Sequence, residues 1–154
     1  MANQILDLWT KMQKVPAGKW LFSKMIGIKV PYTGSVKPRV QEIRPGYARA
    51  QIRDRRAVRN HLRSIHALAQ MNLAEFVTGL AMTAQLPPDA RAIITGLSIE
   101  YTKKARGTLT ATCECEKITR ITADREMIIE SILTDEAGDV VSKAKATWRI
   151  GPKR

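Results

Sequence analysis

Apolar and polar positions along the chain change period three times. Residues 3 to 14 place Ile5, Leu8, Trp9 and Met12 at helical spacing, which predicts an amphipathic helix. After Pro16 and Gly18 the run GKWLFSKMIGIKV predicts a second short helix that lasts until Pro31, and PYTGSVKP, with two prolines and a glycine, reads as a loop. From Arg39 the period shortens: VQEIRPGYARAQIRD holds two strand-like runs broken at Pro45-Gly46, the pattern of a hairpin. Residues 65 to 86, IHALAQMNLAEFVTGLAMTAQL, return to helical length and are apolar or small on nearly every side, with Ser64 as a cap and Pro87 and Pro88 as a stop. A helix of that kind is expected to be buried on every side. After Asp89 strict alternation takes over. Leu97, Ile99 and Tyr101 alternate with polar neighbours, as do Leu109, Ala111, Cys113 and Cys115, with KKARG as a tight turn between the two runs. REMIIESILTD and DVVSKAKATWRI form a further pair around Glu136, Ala137 and Gly138, with Ala144, Ala146, Trp148 and Ile150 facing inward.

These elements imply an α+β fold, a curved antiparallel sheet wrapped around one long central helix. N-terminal cap helices, residues 1–35, precede the main unit, residues 36–154, in one compact body. Two such units could join sheets edge to edge and so remove the exposed edges that invite aggregation.

Composition adds the surface. Hydrophobic content of 44% and charged content of 26% are ordinary for a globular domain, but 26 Lys and Arg against 14 Asp and Glu give a net charge of +12. A surface that basic attracts polyanions: nucleic acid, anionic lipid or phosphate-rich cofactors such as coenzyme A. No helix-turn-helix or zinc pattern accompanies the charge, and few aromatics lie in the strands, so specific nucleic-acid recognition is not expected. Cys113 and Cys115 stand two apart on one sheet face, too close along the chain for an ordinary disulfide, and read as small core residues of a reducing compartment with no metal. No stretch reaches the roughly 20 apolar residues of a membrane span, and no signal-peptide pattern opens the chain. A cytoplasmic protein without stable membrane insertion is therefore expected.

Inside the central run stand one carboxylate, Glu75, and one imidazole, His66. Burying an unpaired carboxylate is costly, so Glu75 must find a partner, hold a proton or line a wetted pocket. Nine positions on a helix amount to about 14 Å of rise and roughly half a turn of rotation. One small substrate cannot touch both residues on a single helix. Either they are unrelated, or the site takes His66 from one chain and Glu75 from another, which predicts a homodimer.

The order of elements, together with NHLRSIHALAQMNLAEF, resembles the hotdog fold, and within it the phenylacetyl-CoA thioesterase (PaaI-like) group and its less characterised relatives. That group has an asparagine, a histidine six positions on that opens the central helix, usually two glycines, and an acid nine positions after the histidine. Asn60, His66 and Glu75 stand at those spacings. The chain departs from the pattern at Ala67 and Leu68, where the group has glycines, and in carrying glutamate instead of the more frequent aspartate; both changes bear on substrate fit. The resemblance implies an acyl-CoA thioesterase working as a homodimer or a dimer of dimers, with coenzyme A as part of the substrate and no other cofactor.

In such a reaction negative charge develops on the thioester oxygen. A helix start offers free backbone N–H groups and a partial positive charge, so the amides of Ala67 and Leu68 are the candidate oxyanion donors. Glu75 of the opposite chain would act as general base or as nucleophile, and Asn60 would orient the water or the carbonyl. For coenzyme A phosphates the candidates are Arg53, Arg55, Arg56, Arg59 and Arg63 ahead of the helix and Lys103, Lys104 and Arg106 after the third strand. Trp20, Leu21 and Phe22 would roof an acyl slot. Blander readings stay open: His66 as a cap, Asn60 as a turn residue, the arginine run as a solvated face. A non-catalytic acyl-CoA or fatty-acyl binding protein is the alternative function, and a hotdog dehydratase ranks below it.

Overall fold

The structure is a computed structural model that describes residues 2–153. Three helices lead: α1 (Ala2–Met12), α2 (Gly18–Lys29) and α3 (Pro31–Val36). The hairpin of β1 (Arg39–Arg44) and β2 (Tyr47–Ile52) follows, then a single 3-10 turn at Arg56–Val58 and the central helix α4 (Ala67–Thr83). Four strands complete the chain: β3 (Ala90–Tyr101), β4 (Leu109–Glu114), β5 (Arg125–Thr134) and β6 (Val140–Pro152). All six strands form one antiparallel sheet in the order β1-β2-β4-β5-β6-β3. This is the curved-sheet, central-helix arrangement that the sequence predicts.

The PYTGSVKP segment is α3, not a loop. Pro31 takes a first-turn position, where its fixed φ suits a helix and its missing N–H costs nothing. Gly34 then lets α3 lie against α2, since a Cβ there would meet the Gly27 carbonyl oxygen. Lys37, at φ 55°, closes the turn in the left-handed conformation.

The KKARG segment also departs from expectation. β3 pairs with β6, from Ala90 opposite Pro152 to Tyr101 opposite Ser142, while β4 lies between β2 and β5. Residues 102–108 are therefore a crossover and not a hairpin turn. Two alternating runs in succession have the same local signature in both topologies; what separates them is pairing with distant strands. Lys103 bonds Asp135 and Asp139 in the β5–β6 turn, each at 2.7 Å, and the Gly107 N–H donates to Asp54, so the crossover is tied at both ends.

α4 packs its Leu73, Ala74, Val77 and Ala81 side against the sheet, all four fully buried. Trp9 of α1 and Phe22 of α2 meet edge-on, with ring centroids 5.1 Å apart, inside the same core. The helix is not buried on every side, however. Leu68 is 56% exposed, and Met71, Asn72, Glu75, Gly79 and Thr83 are half-buried. These positions, three or four apart, form one open stripe along the helix. Glu75 sits in the middle of it. Among the described residues, no helix is long and apolar enough to cross a membrane.

Candidate functional site

The start of α4 is built by the loop before it. Ile65 still pairs in extended form with Arg59, and the Ile65 N–H donates to the Ala105 carbonyl at 2.7 Å, so the helix cannot begin at Ser64. The cap is His66: its Nδ1 accepts the Leu68 N–H at 3.1 Å. Ser64 is buried and its hydroxyl has no partner among the described residues. Asn60 shapes the preceding turn, its Oδ1 accepting the N–H groups of Leu62 at 3.0 Å and Ser64 at 3.1 Å. The ring of His66 thus occupies one candidate oxyanion donor, Leu68, in the free chain. The Ala67 N–H has no partner among the described residues.

That helix tip opens into a cleft of about 350 Å³ lined by Asn60, Ala67, Gln70, Tyr101, Lys103 and Lys104, among others. Four of the sequence-predicted residues, Asn60, Ala67, Lys103 and Lys104, therefore meet there. Tyr101 and Gln70, which sequence reasoning missed, join them. The Tyr101 hydroxyl donates to the Ala67 carbonyl at 2.9 Å; buried Gln70 donates to the Ile65 carbonyl and accepts the Ser142 hydroxyl at 2.9 Å. Together they fasten the first turn of α4 to β3 and β6.

The other cations are more dispersed. Arg59 is bonded to Asp54 at 2.5 Å, and Lys103 is shared between Asp135 and Asp139. Burial pushes the Asp54 carboxyl up, but the bonds from Arg59 and the Gly107 N–H outweigh it and hold the group below its ordinary value. Arg55 donates to the Ser35 carbonyl. Arg53, Arg56, Arg63 and Arg106 are exposed and outside the cleft lining. The Trp20, Leu21 and Phe22 roof is not formed: Phe22 is core, and Trp20 and Leu21 point outward from α2 into solvent.

Glu75 lies just over two helical turns beyond Ala67 and does not line the tip cleft. Its carboxylate makes no ion pair or hydrogen bond among the described residues, and half-burial alone raises its pKa above the ordinary 4.5. The turn that carries it is pinned from below. The Trp148 indole N–H donates to the Thr78 hydroxyl at 3.1 Å, and that hydroxyl donates to the Glu75 carbonyl at 2.8 Å. Thr78→Val would leave the buried indole N–H unpaired and is expected to cost about 1–3 kcal/mol of stability, read by denaturant unfolding. On the neighbouring side Asn72 donates to Thr33 of α3 at 3.1 Å, while its Oδ1 is buried without a partner among the described residues. Neither link has a local sequence signal, because each joins side chains 39 or more positions apart.

Beside the open stripe runs β3, which ends the sheet and so has one unpaired edge along its 12 residues. Ile94, Leu97 and Ile99 on its core side are only half-buried. The helix stripe itself is mixed, with Leu68 and Met71 beside polar Asn72 and Thr83 and Glu75 in its middle. Buried Cys113, by contrast, has its thiol pushed up to about 12 by burial and by its neighbours Cys115 and Glu114, which keeps it protonated and unreactive.

The architecture is a hotdog fold, shared with its structural neighbours. One, a structural-genomics crystal structure without a functional description, is 31% identical over 98% of both chains, with a TM-score of 0.82. A second, from Pseudomonas aeruginosa and described provisionally as a thioesterase, is 21% identical over 90% of this chain and 97% of its own, with a TM-score of 0.78. A third, from Ralstonia eutropha and described provisionally as a thioesterase related to phenylacetic acid degradation, is 18% identical over 77% of this chain and 89% of its own, with a TM-score of 0.66. Within that fold the chain belongs to the DUF4442 family, a domain of unknown function whose pattern matches residues 18–150. No curated protein matches it in sequence.

Proposed function

We propose that the protein is an acyl-CoA thioesterase whose site is composed at a homodimer interface, the α4 tip of one chain facing Glu75 of the other. The observation that carries this reading is Glu75 itself, a half-buried carboxylate with no partner among the described residues, set in the middle of the open stripe of α4. Within one chain, the free Ala67 N–H and Glu75 are about 12 Å apart along the helix axis, too far for one thioester carbonyl. A two-fold axis beside α4 brings the tip of each helix towards the middle of the other and makes two equivalent sites. Descriptions of the Pseudomonas and Ralstonia neighbours as thioesterases support the same chemistry.

In this site the Ala67 N–H and the positive end of α4 bind the thioester oxygen as it gains charge. Glu75 takes a proton from water while the water oxygen bonds the carbonyl carbon; collapse of the adduct breaks the C–S bond, and the proton passes to the departing thiolate. Direct attack by the carboxylate, with water then cleaving the resulting anhydride, has the same requirements. Both need Glu75 ionised. At the cleft rim Lys104 would meet a coenzyme A phosphate, whereas Lys103 is already bonded to Asp135 and Asp139.

One observation favours a non-catalytic acyl-CoA binder instead: the His66 ring holds the Leu68 N–H, leaving fewer free donors for an oxyanion. The deciding measurement is thiol release from acyl-CoAs of graded chain length by the purified protein. Turnover of at least one thioester is expected, and binding without turnover across the whole series would sink the enzymatic reading in favour of the binder.

A further inference from the structure

Between Asp7 and Glu42 the chain carries seven cations, Lys11, Lys14, Lys19, Lys24, Lys29, Lys37 and Arg39, and no carboxylate. None of the seven forms an ion pair among the described residues. The same stretch holds a cluster of exposed large apolar side chains: Trp20 at 52%, Leu21, Ile28 at 72%, Val30 and Tyr32. On α2, Trp20, Leu21 and Ile28 share one outer face by their spacing of seven and eight, opposite buried Phe22 and Ile26. α2 is thus apolar on both sides, one inside the core and one in water. A cleft of about 480 Å³ runs between α2 and α3, with Trp20, Ile28 and Pro38 as apolar lining and Lys24, Lys37 and Arg39 as cations.

Apolar patches of this kind on soluble domains mark interaction surfaces. The partner must offer both a hydrocarbon phase for aliphatic and indole side chains and a dense array of negative charge. We propose that α1–α3 dock on an anionic phospholipid bilayer, with Trp20, Leu21 and Ile28 at the boundary of headgroups and acyl chains and the lysines on lipid phosphates. Lys24 already lies over the Trp20 ring, 5.0 Å from its centroid, so one unit presents an amphipathic ring and a cation together. Nucleic acid would satisfy the charge but gives Ile28 and Leu21 nothing to enter. Docking of this kind is reversible and superficial, since among the described residues no helix is long and apolar enough to cross a bilayer. This inference goes beyond the thioesterase reading and does not rest on it, since vesicle binding needs no turnover.

The test uses the full chain with vesicles of phosphatidylcholine alone and of phosphatidylcholine with about one third phosphatidylglycerol, by co-sedimentation and tryptophan emission. Trp9 and Trp148 are buried, so a blue shift reports Trp20. We expect at least tenfold tighter binding to the anionic vesicles, a blue shift on binding, and release at high salt. Two variants separate the components: the charge reversals Lys24→Glu with Lys29→Glu, and Trp20→Ala with Ile28→Ser. Each is expected to weaken binding tenfold or more, with melting temperature and solution mass unchanged, because all four side chains are exposed. Absence of binding to anionic vesicles, equal binding to neutral ones, or indifference to Trp20→Ala with Ile28→Ser would overturn the proposal. A change in solution mass in that variant would overturn it too, assigning the face to contact between copies of this chain.

Discussion

Glu75→Gln is expected to lower thiol release from the preferred acyl-CoA by about a thousandfold, with ligand affinity nearly intact. The substitution keeps shape and removes only the capacity to accept a proton or attack a carbonyl. Burial raises the carboxyl pKa above 4.5, so the acidic limb of the wild-type rate profile should lie above that value, and the residual activity of the variant should lack it. Stability moves the other way. A carboxyl whose folded pKa exceeds its unfolded value binds its proton more tightly in the folded chain; the stability it contributes is complete below the unfolded value and is lost as pH rises through the folded one. The variant is therefore expected to melt higher than wild type at neutral pH and to converge with it below about pH 4. A gain in stability together with a loss of turnover is what a carboxylate kept for chemistry predicts. Loss of both would mark Glu75 as a structural residue.

Leu68→Glu is expected to convert the proposed dimer to a monomer of 17.2 kDa and to reduce turnover by at least about a hundredfold. Leu68 is mostly exposed in the single chain, and an acid in the first turn of a helix is favourable, so the protomer should fold as before. In the proposed dimer the substitution would bury an unpaired charge beside Met71 at the contact with the other copy. Light scattering reads the mass, and the far-ultraviolet circular dichroism spectrum reads the fold. A composite site also allows complementation. If Asn60→Ala disables the helix-tip half, mixing it with Glu75→Gln through a cycle of unfolding should restore about a quarter of wild-type turnover, since half the dimers are mixed and one of their two sites is whole. No recovery would place both halves in one chain.

Much of this architecture is written locally. Pro45-Gly46 between two alternating runs is a hairpin turn, and Gly46 indeed takes φ 76° there. The apolar run after Ser64 gives α4, and the charge alternation in β6 gives its inward row of Ala144, Ala146, Trp148 and Ile150. The losses are of two kinds. Some are local competitions decided by a neighbour: Ile65 is held extended by Arg59 and Ala105, so the cap falls to His66, and Gly34 with Gly27 turns a Pro-Gly segment into α3. Others are non-local by nature. The pairing of β3 with β6, and the Trp148–Thr78–Glu75 chain, join residues far apart in the sequence, and no window of the chain contains both partners. For the candidate site, the spacing of Asn60, His66 and Glu75 was legible, while Tyr101 and Gln70, which brace the tip, carry no spacing signal.

The place of β6 between β5 and β3 has a consequence for how the chain is made. β3 has its only partner in strand residues that lie 41 to 62 positions later, from Tyr101 with Ser142 to Ala90 with Pro152. Until those are synthesised, a twelve-residue ribbon with both margins bare must be kept from other nascent chains, the circumstance in which slow closure and misassociation compete. Any lesion in residues 140–152 that weakens β6 would set the ribbon loose again, so such damage should surface as precipitation before it surfaces as lost turnover.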